Sequence, residues 1–308
     1  MLVTVLFCSG VPHRSVRSRS HPVQQGASQL IGRIDFESCK DGEIYDAGNV
    51  RRDFGTSRSW GTYWPFQRAR IADVGGARGR VLKVSYPKGR VRSVASGASW
   101  YWRAFTPRQE MFLGYWVYFP GSFAFRHGGK MHGLTGGKGN TGGKKPNGHD
   151  GWSCRVHWGP EDKIKLYLYH MNQPADYGES FYFGHEPGMH RLGSPYKRDF
   201  DRELHIKRGE WHFVCIRVYV NDIGKSNGQC QAWFDSGLVL DIRGIEFRDA
   251  TCATDELLVN AMYFSTFFGG RDERYKPVKN EIVMFDDFML SGTLLCPEGW
   301  KCDPVPVE

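Results

Sequence analysis

Residues 152–171 read WSCRVHWGPEDKIKLYLYHM, two alternating runs on either side of a Gly159-Pro160-Glu161-Asp162 turn signal. Successive side chains of a strand face opposite ways. Trp152, Cys154, Val156 and Trp158 therefore share an apolar face, and Ser153, Arg155 and His157 share the other. In the second run Ile164, Leu166, Leu168 and His170 share one face, and Lys165, Tyr167 and Tyr169 the opposite one. If the runs pair as a hairpin with apolar faces together, one allowed register sets Arg155 opposite Tyr167 and Ser153 opposite Tyr169. Cross-strand Cβ atoms lie about 4.5–5.5 Å apart, so a Ser, an Arg and two Tyr cluster on an open sheet face. The plainer reading is a solvated face, where these residue types are ordinary.

The same texture extends outward. Short aromatic and β-branched runs recur at 80–86, 99–105, 112–119, 211–220, 229–234, 257–268 and 281–290, separated by Gly, Pro, Asn and Asp clusters. Long helical periodicity and internal repeats are absent. The pattern predicts an all-β fold, an antiparallel β-sandwich of jelly-roll type with long loops over one sheet. Two long stretches read as irregular, 128–151 and 172–208, and loops of that length in a compact domain are commonly functional. The expected division is a disordered basic tail or signal remnant at 1–28, a sandwich domain at 29–295 and a C-terminal tail at 296–308.

Lys and Arg number 41 against 33 Asp and Glu in 308 residues, a formal charge of +8. Such an excess suits a polyanionic partner, but no helix-turn-helix, zinc-finger or RNP pattern points to nucleic acid. No run is long and apolar enough to span a membrane. The short apolar opening, Leu2–Gly10, is compatible with a truncated export signal, and secretion is the expected localisation. A monomer is expected. The eight cysteines show no CxxC spacing, so no metal or other cofactor is expected. Cys296 and Cys302 bracket a short loop and are placed to form a disulfide in an exported protein, while Cys154 and Cys215 read as buried thiols.

The stretch 128–151 carries Lys130, Lys138, Lys144 and Lys145 among many glycines. It fails the phosphate-loop pattern, because Lys138 stands where that pattern needs its first glycine. The run LGYWVYFPGSFAFRHGGKMHGLTGG (113–137), together with GQCQAWFDSGLVLDIRGIEFR (228–248), MYFSTFFGGRDERYKP (262–277) and FDDFMLS (285–291), resembles polysaccharide lyase family 14. That resemblance implies a jelly-roll lyase domain that cleaves an acidic uronate polymer, alginate (polymannuronate) or glucuronan, by β-elimination. It also implies functional positions at Lys130, at the Ser153 and Arg155 pair, and at the Tyr167 and Tyr169 pair. All five hold the residue type expected. The insertion-like GKGNTGGKKPNG (137–148) is a departure, and His132 carries no expectation.

The chemistry asks for such residues. Removing the C5 proton beside a carboxylate builds enediolate charge, which a planar guanidinium can meet through paired hydrogen bonds. Arg155 fits that role, with Ser153 donating a further bond. Free Tyr and Lys have pKa values near 10 and 10.4, and neighbouring cations are expected to lower that of a tyrosine. Lys130 and one of Tyr167 and Tyr169 are expected to divide the base and acid roles, in an order the residues leave open. Tyr101 and Arg103, in the strand Trp100-Tyr101-Trp102-Arg103, are expected to bind sugar. His157 is expected to bind the substrate, and for it and His149 a surface or supporting role is commoner than catalysis.

Other chemistries fit less well. The adjacent Asp286 and Asp287 are expected to face opposite ways, unlike the separated carboxyl pair of a glycosidase. No G-x-S-x-G elbow occurs. Two rivals from other classes are a non-catalytic jelly-roll module that binds acidic glycans and a basic structural protein that binds polyanions.

Overall fold

The computed structural model describes residues 23–24, 29–55, 67–184, 190–191, 204–252, 255–270 and 272–306. In chain order its strands are β1 (Val23–Gln24), β2 (Leu30–Ile34), β3 (Ala69–Gly75), β4 (Gly79–Tyr86), β5 (Ala98–Trp102), β6 (Glu110–Tyr118), β7 (Gly129–Gly137), β8 (Gly151–Trp158), β9 (Ile164–Tyr169), β10 (Glu179–Tyr182), β11 (His190–Arg191), β12 (Trp211–Tyr219), β13 (Gly228–Phe234), β14 (Gly237–Ile245), β15 (Val259–Phe268), β16 (Glu281–Ser291) and β17 (Cys296–Pro297). Two large sheets face one another. The six-stranded front sheet has the order β10-β9-β8-β7-β15-β5. The nine-stranded back sheet runs β11-β14-β13-β12-β6-β16-β4-β3, with β2 added to the far half of β16. Pairing is antiparallel except between β11 and β14. This is the expected jelly-roll sandwich.

The inner faces carry the apolar parity of each strand. Trp152, Cys154, Val156 and Trp158 meet Ile164, Leu166 and Leu168 in one core, all at 0–1% exposure. Aromatic pairs lock the sheets together, among them Phe264 of β15 edge-on to Phe285 of β16 at 6.0 Å and Trp158 of β8 edge-on to Tyr86 of β4 at 6.1 Å. Short helices fill gaps. The longest, α1 (Ala47–Phe54), starts at Asp46, whose carboxylate accepts from the Gly48 and Asn49 amides, and it stops at Gly55 in the left-handed region.

Three expectations change. The supposedly irregular stretch 128–151 contains β7, whose glycines disguise it, because β-propensity is a weak guide where a strand is packed on both faces. The stretch 172–208 contains β10, and its residues 185–189 and 192–203 lie outside the described residues. Asp286 and Asp287 do not face opposite ways. A bulge in β16, with Asp287 at φ 50°, turns both toward Arg78, at 3.5 and 3.8 Å. Asp287 also pairs with Arg33 at 2.6 Å. This cluster belongs to the back sheet.

The tail at 1–28 lies outside the described residues apart from Val23 and Gln24, which pair with β17. Beyond β16 the chain packs on the back sheet. Cys296 and Cys302 are disulfide-bonded, Trp300 lies edge-on to Trp116 at 5.4 Å, and the Asp303 carbonyl accepts from Trp233 Nε1 at 2.9 Å. Five further cysteines, Cys154 and Cys215 among them, are buried free thiols. Among the described residues no helix is long and apolar enough to cross a membrane.

Candidate active site

The site lies on the outer face of the front sheet. Strands β8 and β9 pair with Ser153 opposite Tyr169, Arg155 opposite Tyr167 and His157 opposite Lys165. That is one of the registers that keep both apolar faces inward. On the other side β7 sets Lys130 opposite His157 and Gly133 opposite Arg155. Lys130, Arg155, His157 and Tyr167 therefore share one small area.

Lys130 and Gly133 both face outward although they stand three positions apart, an odd spacing that an uninterrupted strand forbids. A bulge supplies the extra residue: Met131 and His132 both turn into the core at 0% exposure. His132 sits edge-on to Tyr115 and Phe285, and its Nδ1 accepts the Ser265 amide at 3.2 Å. It has no part in the outer face. Gly133 is required by contact, since a Cβ there would strike the Cys154 carbonyl and the Arg155 backbone. Its bareness leaves the space in which the Arg155 guanidinium reaches over Tyr263, 5.5 Å from the ring centre.

This face is not the open, solvated one expected from alternation. Ser153 is 0% exposed, Arg155 3% and His157 2%. The loop after β7 covers one end, where Ser153 Oγ donates to the Asn140 carbonyl at 2.7 Å and the Gly143 amide donates to Tyr169 Oη at 2.9 Å. Ser153 thus anchors the loop with the proton it was expected to offer a ligand. At the other end the Lys130 stem lies against Gly269, which follows β15.

The electrostatics are one-sided. Arg155 has no carboxylate partner among the described residues, and neither has Lys130. Burial, then Arg155 and Lys165, hold the Lys130 amine well below its ordinary pKa. Its Nζ stands 3.3 Å from His157 Nδ1 and 5.2 Å from the Tyr167 ring centre. Burial, then Tyr169, push the Tyr167 hydroxyl up, and the lowering effect of Arg155 is smaller. The expected cation-driven fall of that tyrosine is therefore reversed, because desolvating a phenolate outweighs one neighbouring guanidinium. The result is a half-buried tyrosine that keeps its proton beside a lysine that sheds its own readily.

A row of rings and guanidiniums continues across the sheet. Tyr263 stacks on Tyr101 at 4.4 Å and 10°, and the Arg103 guanidinium stands 4.8 Å from the Tyr101 ring. Tyr101 and Arg103 are thus distant from Lys130 but joined to Arg155 through Tyr263. Sequence reasoning missed Tyr263, whose signal was its parity, opposite to the core residues Met262 and Phe264. It also missed the contact role of Gly269. Among the described residues no His, Cys, Asp and Glu cluster suited to a metal occurs.

Residues 75–288 match the Polysaccharide lyase 14 family. Among solved structures the chain is similar to the alginate lyase Aly36B (24% identity, 84% of this chain, 95% of that one, TM-score 0.67). It is similar to the PL-14 alginate lyase of Aplysia kurodai (22%, 81% and 96%, TM-score 0.61) and to an alginate lyase from Chlorella virus (20%, 72% and 89%, TM-score 0.56). At these identities the likeness speaks for the fold. No curated protein matches the sequence significantly.

Proposed function

This chain belongs to the Polysaccharide lyase 14 family, and from that premise we propose that it cleaves an acidic uronate polymer, of the alginate or glucuronan kind, by β-elimination. The carrying observation is Arg155, a guanidinium 3% exposed with no carboxylate partner among the described residues, set beside Lys130 and Tyr167. A buried cation without an acid is costly. It is tolerable where the substrate supplies the anion. Two variants of Aly36B are known in complex with alginate tri- and tetrasaccharides, which supports alginate as the first polymer to try. Glycoside hydrolysis needs two carboxyl groups about the scissile bond, and the adjacent acids Asp286 and Asp287 are occupied with Arg33 and Arg78 on the other sheet.

In this reading Arg155 binds the uronate carboxylate and stabilises the enediolate as C5 loses its proton. Lys130, as the free amine, takes that proton. Tyr167 keeps its proton and gives it to the C4 oxygen as the bond breaks. Tyr169 and Ser153 hold the loop after β7, and Tyr263, Tyr101 and Arg103 carry the neighbouring sugars. The disulfide Cys296–Cys302 supports a secreted protein.

The test is ultraviolet absorbance of the unsaturated product, with polymannuronate, polyguluronate and glucuronan offered separately. A rise with one names the substrate. No rise from folded protein with any of them favours the runner-up, a glycan-binding module without catalysis.

The base must be unprotonated, so turnover falls as pH drops through the Lys130 pKa. Lys165 is one of the charges that lower it. Lys165→Gln removes that charge, the Lys130 pKa rises, and the acid limb of kcat is expected to move to higher pH. An unmoved limb would assign it to another group. Gly269→Ala tests position. The new Cβ would lie 2.9 Å from Lys130 Cε and Nζ. Only a flexible chain end has to yield, so the fold should hold while the amine shifts. Since a misplacement of 1 Å can cost on the order of 10²-fold, kcat is expected to fall at least about tenfold with an unchanged melting temperature.

A further inference from the structure

We infer that His157 is a positioning residue for Lys130: its Nδ1 accepts one N–H of the amine and so turns the amine's lone pair toward the bound sugar. This rests on the lyase reading above and concerns how its base is aimed. The two side chains are direct cross-strand partners, with Nζ and Nδ1 3.3 Å apart. The imidazole is itself held. It stacks on the Tyr167 ring at 4.4 Å and 26°, and it is 2% exposed. Gly269 closes in on the Lys130 stem at Cε and Nζ. The amine is therefore confined between a glycine and an imidazole nitrogen.

The positioning role requires one tautomer. A neutral amine has two N–H bonds and one lone pair. If Nδ1 lacks a proton it accepts from the amine and leaves the lone pair free. If Nδ1 carries the proton it donates into the lone pair and masks the base. The surroundings oppose a charged ring. Arg155 stands on the same strand, Lys165 and Tyr167 face it from β9, Lys130 faces it from β7, and from the turn after β15 the side approached is that of Gly269, which bears no charge. Burial, then Lys130 while it is protonated, then Arg155 and Lys165 hold the imidazole well below the ordinary histidine pKa, and burial, Arg155 and Lys165 still act when the Lys130 amine is free. Its Nε2 is buried with no hydrogen-bond partner among the described residues, so the ring offers a ligand nothing directly. That argues against His157 as the substrate contact expected from the sequence. Tyr167 and Lys130 are also joined through this one ring, which fixes acid and base relative to each other.

The experiment measures kcat and KM by product absorbance across pH for wild type, His157→Leu, His157→Asn and Lys130→Met, with thermal melts on each. It is joined by 15N NMR of the imidazole, the His157→Asn spectrum assigning the signal. His157→Leu is expected to lower kcat about tenfold to a hundredfold with KM nearly unchanged. His157→Asn, whose amide oxygen falls near the place of Nδ1, is expected to restore most of the loss. The NMR signal is expected to show the Nε2-protonated form throughout the active pH range. A raised KM with wild-type kcat in His157→Leu would make the ring a substrate contact and overturn the inference. So would an Nδ1-protonated ring, a reading that stands even if His157→Leu does not fold. Should Lys130→Met retain turnover, the base assignment fails and this inference with it; a dead Lys130→Met beside a wild-type His157→Leu rejects the positioning role alone.

Discussion

Lys130→Ala is expected to lower kcat by about 10²–10⁴-fold, the usual contribution of a positioned general base, while the fold remains intact. The amine sits where burial, Arg155 and Lys165 all disfavour its charge. It has no acidic partner among the described residues. Removing it deletes no ion pair, and the bulge that presents it is fixed by Met131, His132 and Gly133, which the substitution leaves alone. The melting temperature is therefore expected within a few degrees of wild type, where a change of 1 kcal/mol shifts a chain of this size by about 1.5–2 °C. The check is product absorbance under saturating polymer together with a thermal melt. Turnover near the wild-type rate from the folded variant removes Lys130 from the reaction.

Arg155→Met is expected to do two opposite things at once. Activity should fall at least 10²–10³-fold, as when a preorganised donor to a developing oxyanion is removed. Stability should rise, by about 1–3 kcal/mol, because replacing buried charge with an apolar chain of similar volume is often stabilising. The guanidinium is 3% exposed, its Nε lacks a partner among the described residues, and its neighbours are the rings of Tyr263 and Tyr167. A methionine can fill that space. Denaturant melts and kinetics on one preparation decide the matter. If the variant loses stability, Arg155 is held by interactions within the protein and its charge is not kept for a ligand. If it gains stability but stays active, the carboxylate is bound elsewhere.

Much of this was legible in the chain. A strand has period two, so the parity of residues 152–158 and 164–169 decides that Ser153, Arg155 and His157 share a face with Lys165, Tyr167 and Tyr169, whatever surrounds them. Apolar parity also restricted the register, because a slip of one residue would turn the apolar set of one strand outward while that of the other stayed in the core. Lys130 was reached only through family resemblance. No periodicity could relate it to Arg155, since the bulge at Met131 and His132 breaks the count between them.

The sequence by itself determined the all-β class, the faces of the β8–β9 hairpin and the residue types that the site presents, because alternation and turn chemistry are local properties. Tertiary structure alone decided the rest. Strand β15 comes about a hundred residues after β8 and yet lies between β7 and β5, which carries Tyr263 into line between Arg155 and Tyr101. The bulges in β7 and β16 arise from pairing with distant partners, and they set the outward reach of Lys130 and the common orientation of Asp286 and Asp287 toward Arg78. Burial of the outer face was equally unreadable, since it depends on the loop after β7 folding back onto Ser153 and Tyr169. Desolvation follows from that cover at one end and from the close approach of Gly269 at the other, and it is the largest cause that lowers Lys130 and raises Tyr167. A protonation state is a property of the surroundings, and those are assembled from strands that the chain keeps far apart.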